Sequence, residues 1–191
     1  MKPRRERCKA PSMRGFTLAE MLVVVAVLTV IAGIVVPSLA AHDPQRLEVA
    51  AGEVRDALRF ARAEAMRRGK PALLDAETAP GKLKVLWLSS GCSSMSSFSA
   101  ATDPRSKSAY VVDVSGGAFS RGVTVTPRFL VAATAYGGLV FDAAGRPSDV
   151  CAVASKNGKG NPEVGSNVVL TLGDRQLTVS LDVVTGRVTV P

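Results

Sequence analysis

The sequence has a single histidine, His42, and so no partner with which to build a His-based triad or a two-histidine metal site. Its three cysteines, Cys8, Cys92 and Cys151, show no CxxC spacing, which speaks against a structural zinc site. Gly158-Lys159-Gly160 is a fragment of a phosphate loop that lacks the strand before it, the full GxxxxGK spacing and the helix after it, and it reads as a turn. The acidic residues are scattered among turns and helix faces, and no spacing pairs two of them as general acid and base. The equipment of an enzyme is missing. The chain is expected to be a non-catalytic protein with no cofactor and no metal.

Long apolar runs are also absent after residue 39, so the hydrophobic content of 47% owes much of its excess to one stretch near the N-terminus. The rest of the 191 residues suffices for one compact soluble domain. The net charge of +8 is concentrated in the same way: Lys2, Arg4, Arg5, Arg7, Lys9 and Arg14 against Glu6 give the first 15 residues +5, and the remainder carries +3. That distribution is a topological signal, holding the basic end in the cytoplasm. It gives little support to a nucleic-acid partner.

Residues 16–39 run for 24 positions with Glu20 as the only charge, about 36 Å as a helix and enough to span a bilayer. The basic flank places residues 1–15 on the cytoplasmic side and sends the C-terminal domain outward. Two plainer readings are a secretory signal peptide cut after Ser38-Leu39-Ala40 and an uncleaved anchor. The apolar run exceeds the roughly 7–15 residues of a signal-peptide core, and a carboxylate sits inside it. That carboxylate costs about 2.5–3.5 kcal/mol at depth and needs a cationic partner. A cut between Gly15 and Phe16 would supply one, the new α-amino group of Phe16 on the same chain or a neighbouring one.

Arg14-Gly15-Phe16-Thr17-Leu18-Ala19-Glu20 followed by an apolar helix resembles the prepilin leader site of type IV pilins and type II secretion pseudopilins. The resemblance implies that a membrane prepilin peptidase cleaves after Gly15 and that Phe16 is N-methylated. It also implies that Glu20 is the assembly glutamate. Ala19 stands where a larger aliphatic is common, a change in packing and not in charge. Met13 offers a second start that would leave a shorter leader and the same mature protein.

Beyond the membrane segment, Asp43-Pro44 opens a second helical stretch as cap and first-turn proline. Leu47, Ala50, Val54, Leu58, Ala61 and Ala65 recur every three or four residues and form one apolar stripe. Arg46, Glu48, Arg55, Arg59, Arg62 and Arg67 lie mainly on other faces, and Glu64 with Arg68 is an i,i+4 pair of the favourable orientation. Gly69-Lys70-Pro71 ends the helix. From there the pattern changes to short β-branched runs, with candidate strands at 82–88, 110–114, 122–126, 139–142, 150–154, 168–172, 176–181 and 187–190. Turns are expected at Gly116-Gly117, Gly137-Gly138, Asn157-Gly158, Gly173-Asp174 and Thr185-Gly186. The serine-rich stretch 89–108 reads as a long surface loop. Cys92 and Cys151 are a candidate disulfide if the domain is periplasmic, or two buried thiols, since two cysteines fix no connectivity.

Phe60-Ala61-Arg62-Ala63-Glu64-Ala65-Met66-Arg67-Arg68-Gly69 is similar to the helix-end motif of the GspH/FimT minor subunits, and Phe141 to Pro147 and Thr185 to Val188 resemble that family's β-domain. The fold expected is therefore α+β and type IV pilin-like: a long N-terminal helix, part membrane and part amphipathic, packed on an antiparallel sheet. The organisation expected is leader 1–15, membrane and assembly helix 16–39, amphipathic helix 40–70 and β-domain 71–191. The resemblance implies a minor pseudopilin of a type II secretion system or a minor type IV pilin. Its partners would be other pilins or pseudopilins, the prepilin peptidase and the inner membrane. Some relatives capture DNA through arginines in the C-terminal tail, where this chain has Arg187 alone.

Overall fold

The structure, a computed structural model, describes residues 16–39, 43–76, 81–92, 94–151 and 157–190, with the backbone alone over 32–39. Cys8, Gly15 and His42 lie outside the described residues. The chain divides into two compact units, Met1–His42 and Asp43–Pro191. Helix α1, Leu18–Leu39, with Phe16 and Thr17 before it, makes up the described part of the first. Among its described residues the second holds helix α2, Asp43–Arg68, and ten strands.

Helix α2 buries the stripe that its sequence period marks: Leu47, Ala50, Val54, Leu58, Ala61 and Ala65, joined by Ala51 and Ala57. The alanines let the helix lie close on the strands. Each large aliphatic side chain taken fully from water contributes about 1.5–3 kcal/mol. The helix stops in a Schellman motif: Gly69 takes φ 62°, its N–H donates to the carbonyl of Met66 at 3.3 Å, and Lys70 N–H donates to that of Ala65 at 3.2 Å.

The strands are β1 Ala72–Asp75, β2 Lys82–Leu88, β3 Phe98–Ala100, β4 Val111–Asp113, β5 Thr124–Val131, β6 Thr134–Tyr136, β7 Gly138–Phe141, β8 Asn167–Leu172, β9 Arg175–Leu181 and β10 Val188–Thr189. They form two five-stranded antiparallel sheets where one was expected: β3-β2-β1-β7 with β4 also on β2, and β10-β9-β8-β5-β6. The main core joins α2 to both, through Leu74, Leu83, Val85, Leu139 and Phe141 of the first sheet and Phe129, Val168, Leu170, Val179 and Leu181 of the second.

Several expectations are corrected. Strand β1 was not expected; all four of its residues are buried, so it shows no alternation by which to recognise it. The stretch 89–108 is not all surface loop, since Met95–Ser97 forms a 3-10 turn and β3 follows it with Phe98 buried. No strand begins at Val150; Val150 and Cys151 lie in a turn, and 152–154 fall outside the described residues. The free edge of β7 is already taken by the Phe141–Pro147 bridge and by Ser148 N–H on the carbonyl of Val140 at 3.0 Å. Gly137 is a bend between β6 and β7, Gly138 already begins β7, and the β5–β6 reversal at Ala132-Ala133, both with positive φ, was not expected.

Candidate functional site

Phe16 and Thr17 precede α1. The Glu20 N–H donates to Oγ1 of Thr17 at 3.2 Å, and the Met21 N–H to the Thr17 carbonyl at 3.2 Å. Thr17 thus caps the helix, with Glu20 three residues on in its first turn. Sequence reasoning fixed on Glu20 as a charge and missed its place in a Thr-x-x-Glu cap, a signal the sequence does contain. Phe16, Glu20 and the apolar residues that follow, from Leu22 to Ile31, are all exposed. A helix apolar on every side has no water-facing stripe and needs lipid or other helices around it. Counted only to Ile31, where its described side chains end, no helix is long and apolar enough to cross a membrane. The backbone helix runs on to Leu39, 22 residues or about 33 Å.

The Cys92 and Cys151 sulfurs are bonded as a disulfide, with their Cα atoms 5.0 Å apart. Cys151 is buried, Cys92 exposed. Cys151 belongs to a second, smaller apolar cluster with Leu73, Phe98 and Val140, against which Leu86, Leu88 and Met95 pack. Leu73 and Val140 alternate with the β1 and β7 residues that enter the main core, so this cluster lies on the opposite face of the first sheet. The disulfide ties the serine-rich segment over that face.

The segments at 141–147 and 185–188 form two similar turns. In one, Asp142 accepts N–H bonds from Ala144 and Arg146 at 2.9 and 2.8 Å; in the other, Asp182 accepts from Val184 and Thr185 at 2.9 and 2.8 Å. These backbone donors, Thr185 first, hold the Asp182 carboxyl below its ordinary range. Gly145 and Gly186 both have positive φ, and a Cβ on Gly186 would meet the Gly145 carbonyl oxygen at 2.8 Å. The turns are pressed together beside α2, where Arg62 Nη1 donates to the Gly186 carbonyl at 3.4 Å. Arg187 is exposed, and its N–H donates to Thr185 Oγ1 at 3.2 Å.

Glu64 is only 4% exposed. Both its oxygens accept from Arg67 at 2.8 Å, and Arg68 binds one of them while its guanidinium lies 4.3 Å from the Trp87 ring centre. The Arg67 hydrogen bonds, opposed by burial and aided by Arg68, hold this carboxyl below the usual range. Glu53 goes the other way: burial raises its pKa, Ser120 Oγ donating at 3.0 Å works against the rise, and the charge of Asp113 adds to it. Among the described residues no three His, Cys, Asp or Glu side chains are grouped to hold a metal ion.

Residues 11–36 match the prokaryotic N-terminal methylation motif. No curated protein sequence matches the chain. Among solved structures it is similar to the type IV minor pilin FimU of Pseudomonas aeruginosa, at 15% identity and a TM-score of 0.45 over 78% of this chain and 90% of that one. It is also similar to the minor pseudopilin EpsH from the type 2 secretion system of Vibrio cholerae, at 12% identity and a TM-score of 0.47 over 76% and 96%. At these values the likenesses assign no function. The chain carries the methylation motif, and its second unit packs helix α2 on antiparallel sheets, a fold of the α+β class.

Proposed function

We propose that this chain is a minor subunit of a type IV pilin-like fibre, and within that class a minor pseudopilin of a type II secretion system. The observation that supports this most is the methylation motif over residues 11–36, which brackets Gly15, Phe16 and Glu20. On this reading residues 1–15 are a leader removed by prepilin peptidase, and Phe16 becomes the methylated N-terminus. Residues 16–39 store the protein in the inner membrane with the domain in the periplasm. Residues 40–70 are the amphipathic segment, whose helix α2 lies under the β-domain of 71–191. Glu20 then pairs with a Phe16 amine when subunits join. The partners are other pseudopilins of the same fibre.

Mass analysis of the mature N-terminus is expected to show methyl-Phe16; a mature chain beginning at Ala41 would establish a signal peptide and overturn the proposal. Glu20→Leu separates assembly from anchoring. Removing the carboxylate eases insertion by about 2.5–3.5 kcal/mol, so a plain anchor tolerates it. An assembling subunit loses its charge pair, and the variant should be inserted and cleaved yet fail to co-purify with partner subunits. Deleting the gene should abolish protein secretion and leave piliation intact. The reverse result assigns the chain to the minor type IV pilins. DNA capture would need Arg187, one exposed arginine on a mature chain of charge +3, and would weaken steeply with salt.

A further inference from the structure

The two sulfurs of the disulfide differ in access, and the difference gives the bond a direction. Thiol–disulfide exchange proceeds by a thiolate attacking one sulfur and expelling the other. Cys151 has no exposed surface and is packed with Leu73, Phe98 and Val140, whereas Cys92 is exposed in the serine-rich segment. A large attacking group can reach only Cys92. We propose that Cys92 is the exchange site of this domain, the sulfur through which a thiol–disulfide oxidoreductase makes and unmakes the bond, with Cys151 as the internal resolving thiol.

In the forward sense the Cys92 thiolate attacks the partner's disulfide. A mixed disulfide forms on Cys92 and one partner thiolate leaves. Cys151 then gives up its proton and attacks the Cys92 sulfur, expelling the second partner thiolate. The two electrons end on the partner as a dithiol, and the domain keeps the Cys92–Cys151 bond. In the reverse sense the leaving group is Cys151, a thiolate released among apolar side chains with little to solvate it. Reduction from outside is therefore disfavoured. Closing the bond also brings the segment carrying Met95 and Phe98 over the outer face of the first sheet, so oxidation completes the smaller apolar cluster.

The test uses the full chain in detergent with Cys8→Ser, so that only the two domain cysteines react. The oxidised protein is treated briefly with glutathione, quenched in acid and mapped by peptide mass spectrometry. The glutathione adduct is expected on Cys92, in at least about tenfold excess over Cys151. In a second arm Cys151→Ser and Cys92→Ser chains, reduced, are each given oxidised glutathione under native conditions and in urea. Cys151→Ser should be modified rapidly in both conditions. Cys92→Ser should be modified rapidly only in urea. Adducts shared equally between the two cysteines in the first arm would overturn the proposal, and that arm leaves both domain cysteines in place.

Discussion

Two carboxylates of α2 carry opposite linkage to pH, although both are glutamates on one helix. The Glu64 carboxyl is held low by Arg67 first and Arg68 with it. Its ionised form gains on folding, so its contribution is complete above the unfolded value of 4.5 and is lost as the pH falls through the folded one. Glu64→Gln is expected to cost about 1.5–3 kcal/mol at pH 7, because a buried charge-assisted set becomes a neutral one. Urea melts repeated toward acid should show the two proteins converge. Glu53, raised chiefly by burial, favours its protonated form in the fold. Its contribution is complete below 4.5 and is lost as the pH rises through the folded value. Glu53→Gln keeps an acceptor for Ser120, so it should stabilise the domain at pH 7 by about 0.5 kcal/mol after screening, with less effect in acid. The sequence could reveal Glu64 and Arg68 as neighbours by spacing alone. Nothing in a one-dimensional pattern says that a glutamate on a basic helix end is buried.

At the scale of elements, a period was legible wherever one face alone is buried. The stripe of α2 could be read because its other faces are wet, and β8 and β9 could be read because the second sheet has a polar outer face, with Thr171 opposite Gln176 and Asn167 opposite Ser180. Strand β1 was hidden because it is covered on both sides, and β3 because its short run follows a string of serines. The β5–β6 reversal escaped for a third reason: Ala132 and Ala133 stand at φ 48° and 61°, where glycine or asparagine would announce a turn. Left-handed backbone costs an L-residue about 1–2 kcal/mol, so the Ala132→Asn, Ala133→Gly double variant should raise stability by about 1–2 kcal/mol. A rise in Tm with an unchanged fold would confirm that this turn is paid for by its neighbours. Pro127 fits the same strand because β5 has β8 as its partner at that position while β6 ends opposite Phe129.

For the whole molecule, the division at Asp43 matters most. Every described residue of the main core lies in Asp43–Pro191. The second unit should therefore fold alone, and residues 43–191 are expected to give one cooperative urea transition by both fluorescence and circular dichroism. Separate transitions would show that the sheets are independent. They should not be, because α2 contacts β1, β2 and β7 of one sheet and β8, β9 and β10 of the other. That shared helix has a mechanical consequence. A pull entering the chain at Asp43 runs along α2 and loads its seams with both sheets side by side, as a shear, where a terminal strand would peel away bond by bond. Stretched from Asp43 to its C-terminus in a single-molecule experiment, the domain is expected to hold and then yield in one rupture.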